Sequence, residues 1–459
     1  MTSSAGSKPA RVPGSPDTDM SERPPRLDGA GPSQRTAVEY ALLETVQRTR
    51  ATLLELTNLG PDELRERLYA SMRDEVELYQ RRAAAANDPL LADPSDTRQW
   101  LEDQVLGYAE LGPLMRTQGV QTIRILGPHH LYVVQDGRQY RLAGVRFSGD
   151  QAVREFVKRF AGQAGRLFDD AHPRADFALP DGSRLHAVMP PITPQYTEVT
   201  IRRFTLLDRR IESLVPETLT AGCCGFLQAA VHARANILIC GDGGTGKTTL
   251  QRMLLLEVDD PEEWIICLET TRELQLHRLL GRVQSWQSRE DGTDGSGAIT
   301  LSQLLEDDAL RCEATRIVVG ECRASETYTL LASLETGHRG TVTSIHARSA
   351  ADALERLLTA ARHSALAPGE DVLRDMIRRN VDLVVFLRRL HGKRLVAEVV
   401  EVDSTRRLDG GGFAVRPLWL RKGGGPLLRQ PYSPGLLETF EDLEIGYRWQ
   451  DYADEEAAA

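Results

Sequence analysis

The stretch Asn236–Gly246, NILICGDGGTG, runs straight into Lys247, Thr248 and Thr249 and constrains this chain more than any other segment. Gly241, Gly246, Lys247 and Thr248 fill every fixed position of the phosphate-loop pattern, GxxxxGK followed by Ser or Thr. That pattern has meaning only between a strand and a helix. Here the apolar run Ile237, Leu238, Ile239, Cys240 precedes it, and TTLQRMLLLE follows as a helix reaching about Glu257. A chance glycine-rich turn is the alternative, and this context argues against it. The backbone N–H groups of Gly241, Asp242, Gly243, Gly244, Thr245 and Gly246 turn inward around phosphate oxygens because no bulky side chains obstruct them. Lys247 then reaches the β- and γ-phosphates, the Thr248 hydroxyl ligates Mg²⁺, and Thr249 closes the run at the positive end of the helix. A nucleotide and Mg²⁺ are the expected ligands.

At 459 residues the chain has room for two or three domains. A formal net charge of −10 gives no support for a non-specific nucleic-acid binder, although it does not exclude a local patch. Lysine occurs only at Lys8, Lys158, Lys247, Lys393 and Lys422, so a lysine in the loop is unlikely to be random. The six cysteines form no CxxC pair, which predicts buried free thiols in a reducing compartment rather than a metal site. With no signal peptide and no apolar run of about 18 residues, the expected location is cytoplasmic, with any membrane contact made through partners.

Residues 1–35 are rich in Ser, Pro and Gly and read as a disordered tail. A helical extension over 36–93 opens with a Thr36/Glu39 capping box and a face of Val38, Leu42, Val46, Leu53 and Leu56. Gly60-Pro61 ends this helix, and a second runs from about Asp62 to Ala85. Residues 94–204 read as a mixed α/β domain with a helix over 150–162 and a hairpin turning at Asp181-Gly182, followed by a linker over 205–217. From 218 to 402 strands alternate with helices, the pattern of a parallel sheet, with strands at Ile237–Cys240, Trp264–Leu268, Arg316–Gly320, Thr341–Ile345 and Asp382–Leu387. Ser288–Gly297 reads as a mobile loop. A C-terminal extension over 403–459 ends in an acidic, solvated tail from Glu438 onward.

Two strands end in candidate carboxylates. Glu321 closes RIVVGE and Glu269 closes WIICLE, with Glu273 just beyond. In open α/β sheets ligands bind at these carboxyl ends, where one carboxylate holds the Mg²⁺ shell and another orients the attacking water. Alone, each strand-end glutamate is more often merely solvated. His346 ends the strand after His338, and a lone histidine there is more often structural.

In order, GDGGTGKTT (241–249), LETTREL (268–274), RIVVGECR (316–323) and TGHRGTVTSIHA (336–347) resemble the Walker A, Asp box, Walker B and His box of the hexameric type II/IV secretion ATPases. LPDGSR (179–184) and TIRRF (200–204) resemble most the branch that serves Tad/Flp pilus assembly. The resemblance implies an α/β fold: a RecA-like P-loop NTPase domain, its parallel sheet flanked by helices, preceded by a smaller mixed α/β domain and the N-terminal helical region. It implies a homo-hexamer of ATP-hydrolysing motors acting on inner-membrane platform proteins, peripheral at the cytoplasmic face, with no direct nucleic-acid contact. By motif, Lys247 and Thr248 hold phosphate and Mg²⁺, Glu321 is the Walker B acid and a metal ligand, Glu273 is the Asp-box carboxylate, and His346 senses the γ-phosphate. Arg184, Arg202 and Arg203 are arginine-finger candidates, with surface ion pairing the alternative for each. Thr270 stands where the family commonly has Asp, and Ala178 where the Tad branch often has Arg. A traffic ATPase of a conjugative type IV system shares all four boxes and is the alternative; a RecA-like nucleic-acid motor ranks below it.

Overall fold

A computed structural model describes residues 35–56, 61–135, 138–142, 147–204, 209–289, 297–408, 411–453 and 455. The Ser/Pro/Gly-rich tail, Gly60 of the expected helix stop and most of the 288–297 loop lie outside these residues. The chain forms two compact units, one ending at Leu179 plus Ser183–Arg203, the other Pro180–Gly182 plus the chain from Phe204 onward.

The first unit begins with three helices, α1 (Ala37–Leu56), α2 (Pro61–Ala86) and α3 (Pro94–Val105). The capping box forms: Thr36 N–H donates to Glu39 Oε2 at 2.8 Å, and Glu39 N–H donates back to Thr36 Oγ1 at 3.2 Å. Leu42 and Val46 of α1 meet Leu68, Met72 and Val76 of α2 and Leu101 and Val105 of α3 in a small core of their own. A short helix α4 (Gly112–Arg116) then leads into β1 (Val120–Leu126), β2 (Leu131–Gln135), β3 (Arg138–Leu142), helix α5 (Asp150–Gln163), and β4 (Arg174–Ala178), β5 (Arg184–Val188) and β6 (Glu198–Arg202). The six strands form one antiparallel sheet in the order β3-β2-β1-β6-β5-β4. Alternate residues such as Ile123, Ile125, Leu185 and Ile201 are buried with Val153, Phe156 and Phe160 of α5, so one face is core and the other is solvated. Each such side chain contributes about 1.5–3 kcal/mol of burial.

The second unit is built on helix α6 (Ala221–His232), β7 (Ile237–Gly241), α7 (Lys247–Leu255), β8 (Ile265–Glu269), β9 (Val283–Gln287), a short α8 (Leu301–Gln303), β10 (Arg316–Val319), α9 (Glu326–Glu335), β11 (Val342–Ile345), α10 (Ala350–Ala361), α11 (Glu370–Asn380) and β12 (Leu383–Leu390). It closes with β13 (Lys393–Arg407), β14 (Phe413–Arg421), β15 (Leu427–Arg429) and α12 (Leu436–Asp442). Every residue of β7, β8, β10 and β11 is buried, as strands covered on both faces must be. Ile237 and Ile239 pack towards Phe226 of α6 and Met253 of α7, while Leu238 and Cys240 pack on the opposite side with Leu330 of α9 and Leu354 of α10. Two ladders result, the parallel β10-β8-β9 and the mixed β11-β7-β12-β13-β14-β15. Hydrogen bonds bridge them: Thr343 Oγ1 donates to Val319 O at 2.7 Å and Ser344 Oγ to Gly320 O at 2.8 Å, and the Cys322 backbone N–H donates to Ser344 O at 2.8 Å. Beneath them the buried Arg316 pairs with Glu263 and donates to Val231 O and Gly340 O.

Three features depart from the sequence reading. Strand β9, VQSWQ, adds an edge to the parallel ladder that its mostly polar composition did not announce. Strand β13 runs through position 402, and β14 and β15 extend the same sheet. The described residues from Glu438 are not a solvated tail, because their acids punctuate buried aromatics. Phe440 and Trp449 sit with Phe226 and Trp419 in the core, with Phe226–Phe440 centroids 5.6 Å apart and Trp419–Trp449 centroids 4.9 Å apart. Five cysteines are buried and Cys312 is exposed; burial pushes the Cys224 and Cys322 thiols up to about 12. No helix among the described residues is long and apolar enough to cross a membrane.

Candidate functional site

The loop between β7 and α7 is shaped by glycine. Gly241 has φ +150, and a Cβ there would lie 2.3 Å from Leu387 O of β12, so neither the backbone conformation nor the space admits a side chain. Gly246, with φ +101, turns the chain into α7, whose first turn directs its N–H groups into the loop. The result is a concave backbone cradle over Gly241–Gly246.

Lys247 is buried at the floor of this cradle. Its Nζ donates to Gly241 O at 2.9 Å and Asp242 O at 3.1 Å, and lies 3.3 Å from His346 Nδ1. Because the ammonium only donates, Nδ1 accepts, which places the imidazole proton on Nε2. Nε2 is 2.9 Å from Glu321 Oε1. The other carboxylate oxygen of Glu321 is held by Arg323, whose Nε donates at 2.8 Å. Burial and then the adjacent Lys247 charge hold His346 below its usual range, against the opposing pull of Glu321, so the imidazole is neutral at pH 7.

On the other side of the loop, Thr248 Oγ1 donates to Glu273 Oε2 at 3.4 Å. Glu273 owes its position to two residues beneath it. Arg252, one turn after Thr248 on α7, donates to the carbonyls of Glu273 at 2.7 Å and Leu274 at 2.9 Å. Glu269 turns inward, 4% exposed, and its Oε1 accepts the N–H groups of Glu273 and Leu274, each at 2.9 Å. Glu269 therefore organises the turn and does not face the loop. Burial raises its carboxyl to about 7, with Glu273 adding to the effect and the two N–H donors opposing it.

This sets a pH dependence. The folded state keeps the Glu269 proton to about pH 7, whereas an unfolded chain releases it near 4.3. Between those values the native state binds more protons, so stability falls as pH rises. In Glu269→Gln the urea-unfolding free energy is expected to lose that decline; an unchanged slope would show that Glu269 ionises normally.

Lys247, Thr248, Glu273, Glu321 and His346 are thus brought together around the loop, with the Asp242, Gly243 and Gly244 rim exposed and Thr249 within α7. The three candidate fingers lie in the first unit. Arg184 makes a two-pronged pair with Asp176 at 2.9 and 3.0 Å, against its own hairpin. The Arg203 guanidinium donates to the carbonyls of Met115, Thr117 and Val120, where it fastens α4 to β1. Arg202 is exposed at the end of β6. Sequence reading overlooked Arg252 and Arg323. Their signal was spacing alone: four residues after Thr248 on a helix, and two after Glu321 on an extended segment.

The sequence pattern of the type II/IV secretion system protein family matches residues 107–406, which spans the six-stranded antiparallel sheet and the loop with all its carboxylates. The chain belongs to that family. Within its reach, a candidate conjugal transfer protein of Mycobacterium tuberculosis is 34% identical over 325 residues, covering 66% of this chain and 91% of the relative. The conjugal transfer protein TrbB of Rhizobium radiobacter is 30% identical over 245 residues, 52% of this chain and 70% of the relative. The type IV secretion system protein VirB11 of Bartonella quintana is 28% identical over 297 residues, 56% and 81%. The helices α1–α3 and the segment from Arg407 lie outside the matched residues.

Proposed function

We propose that this chain is an ATP-hydrolysing traffic motor of a conjugative type IV secretion system, working as a homo-hexamer at the cytoplasmic face of the inner membrane through membrane-embedded partners. The observation that carries the catalytic part is the Lys247–His346–Glu321 chain laid across a cradle that only glycine backbone permits. The donor set fits both expected cofactors. The cradle and Lys247 suit a triphosphate, and the Thr248 hydroxyl with the Glu321 carboxylate suits Mg²⁺, a hard cation that prefers oxygen. Held by Thr248 and Glu321, Mg²⁺ would supply neutralisation of phosphate charge.

With a nucleotide bound, Lys247 would exchange its carbonyl partners for phosphate oxygens beside His346 and Glu321. Glu321 orients the attacking water once Arg323 yields. Glu273 steadies Thr248. Arg202, the exposed member of the three arginines, is the one that best suits a finger acting on a neighbouring subunit. Relatives named for conjugal transfer shift the weight from a Tad/Flp pilus motor to the conjugative reading. The pilus reading keeps LPDGSR and TIRRF in its favour.

Partner capture separates the two. A tagged Glu321→Gln variant, expressed at native level in the source organism and crosslinked, is expected to recover components of a conjugation channel from membranes. Recovery of pilus-type platform proteins instead would overturn the conjugative assignment and restore the pilus one.

A further inference from the structure

The hairpin joining β12 to β13 carries a concentration of charge foreign to the rest of this acidic chain. Arg388, Arg389, Lys393 and Arg394 fall within seven residues that contain no acid. The pairing register sets Arg389 directly opposite Arg394, and like charges facing each other across a ladder are destabilising.

Its place is beside the phosphate loop. β12 pairs in parallel with β7, Leu387 against Gly241, and Arg394 lies two residues further along the hairpin, opposite Arg389. A Cβ on Gly246 would sit 3.4 Å from Arg394 Cδ and 3.9 Å from the Leu387 side chain, so the Arg394 stem passes over the place a side chain on the last loop residue would take. The hairpin backbone is tied down at this point, where Thr218 Oγ1 donates to Arg394 O at 3.3 Å. β11, with His346 just beyond its end, lies on one side of β7 and β12 on the other. The hairpin is therefore across the loop from His346 and its partner Glu321, on the side away from the γ-phosphate.

We propose that Arg394 binds the α-phosphate of the nucleotide, with Arg389 adding to the local positive field. This subsite rests on the nucleotide reading above. Arginine suits the task, because its planar fork engages two phosphate oxygens at once and stays charged at any working pH.

The test is equilibrium binding of fluorescent ADP to the full chain, with wild type, Lys247→Ala, Arg394→Ser and Arg406→Ser compared. Arg394 is exposed, so its replacement leaves the core untouched. Arg394→Ser is expected to raise the Kd for ADP at least tenfold, the loss typical of a hydrogen-bonded charge. Arg406 lies on the same strand on the order of 40 Å away, and its replacement is expected to leave the Kd unchanged. Equal affinity in wild type and Arg394→Ser, while Lys247→Ala loses binding, would overturn this subsite alone. Equal weakening by Arg406→Ser would show a general field and overturn it too. No binding of ADP by wild type would overturn the nucleotide reading and the subsite together.

Discussion

Glu321→Gln is expected to retain ATP and to release phosphate about a hundred- to a thousandfold more slowly than wild type. The carboxylate stands at the carboxyl end of β10, between His346 at 2.9 Å and the Arg323 guanidinium. An amide keeps the size and accepts a hydrogen bond through its oxygen, but it carries no charge for Mg²⁺ and takes no proton from water. A hundredfold loss corresponds to about 2.7 kcal/mol of transition-state stabilisation. ATP affinity should hold, because the cradle and Lys247 that grip the phosphates are untouched. Single-turnover phosphate release alongside equilibrium ATP binding separates the two effects. A variant that hydrolyses at the wild-type rate would remove Glu321 from catalysis and leave Glu273 as the remaining loop-facing carboxylate. A variant that no longer binds would show Glu321 to be structural.

The loop and its surrounding strands were legible because their requirements are local. Only glycine adopts the Gly241 conformation beneath Leu387 O, and strands covered on both faces must read as unbroken apolar runs. Glu321 and His346 were legible as strand ends. Glu269 was not, since a strand-end carboxylate can face either the ligand or the interior, and the choice depends on whether N–H groups such as those of Glu273 and Leu274 await it. Arg203 posed the same problem: an arginine one residue from Arg202 in TIRRF is consumed by three carbonyls far back in the chain. Strands β13–β15 extend the sheet antiparallel, without the strand–helix alternation that announced the rest. The choice between pilus and conjugation was beyond the four boxes in principle, because they encode nucleotide chemistry common to both.

The aromatic clasp at the C-terminal end gives the second large effect. Phe440→Ala is expected to cost about 3–5 kcal/mol of stability, because the residue is 1% exposed and its removal leaves a cavity between Phe226 and Tyr447. That loss is a large part of a typical folding free energy of about 5–15 kcal/mol. Neighbouring acids make the contrast: Glu438→Gln and Asp442→Asn should shift stability by no more than about 0.5 kcal/mol. If acidic solvation governed this segment, the two results would be reversed. The clasp also reaches the loop. Tyr447 Oη donates to Gly222 O at 3.1 Å, and Trp449 packs with Trp419 in the core that holds α6 against β7. β7 ends at Gly241, so loosening α6 reduces the order of the cradle that the nucleotide requires. Urea unfolding of Phe440→Ala followed by ADP titration of its folded population should therefore show a lower midpoint and a weaker Kd together. A lower midpoint with unchanged affinity would confine the clasp to stability.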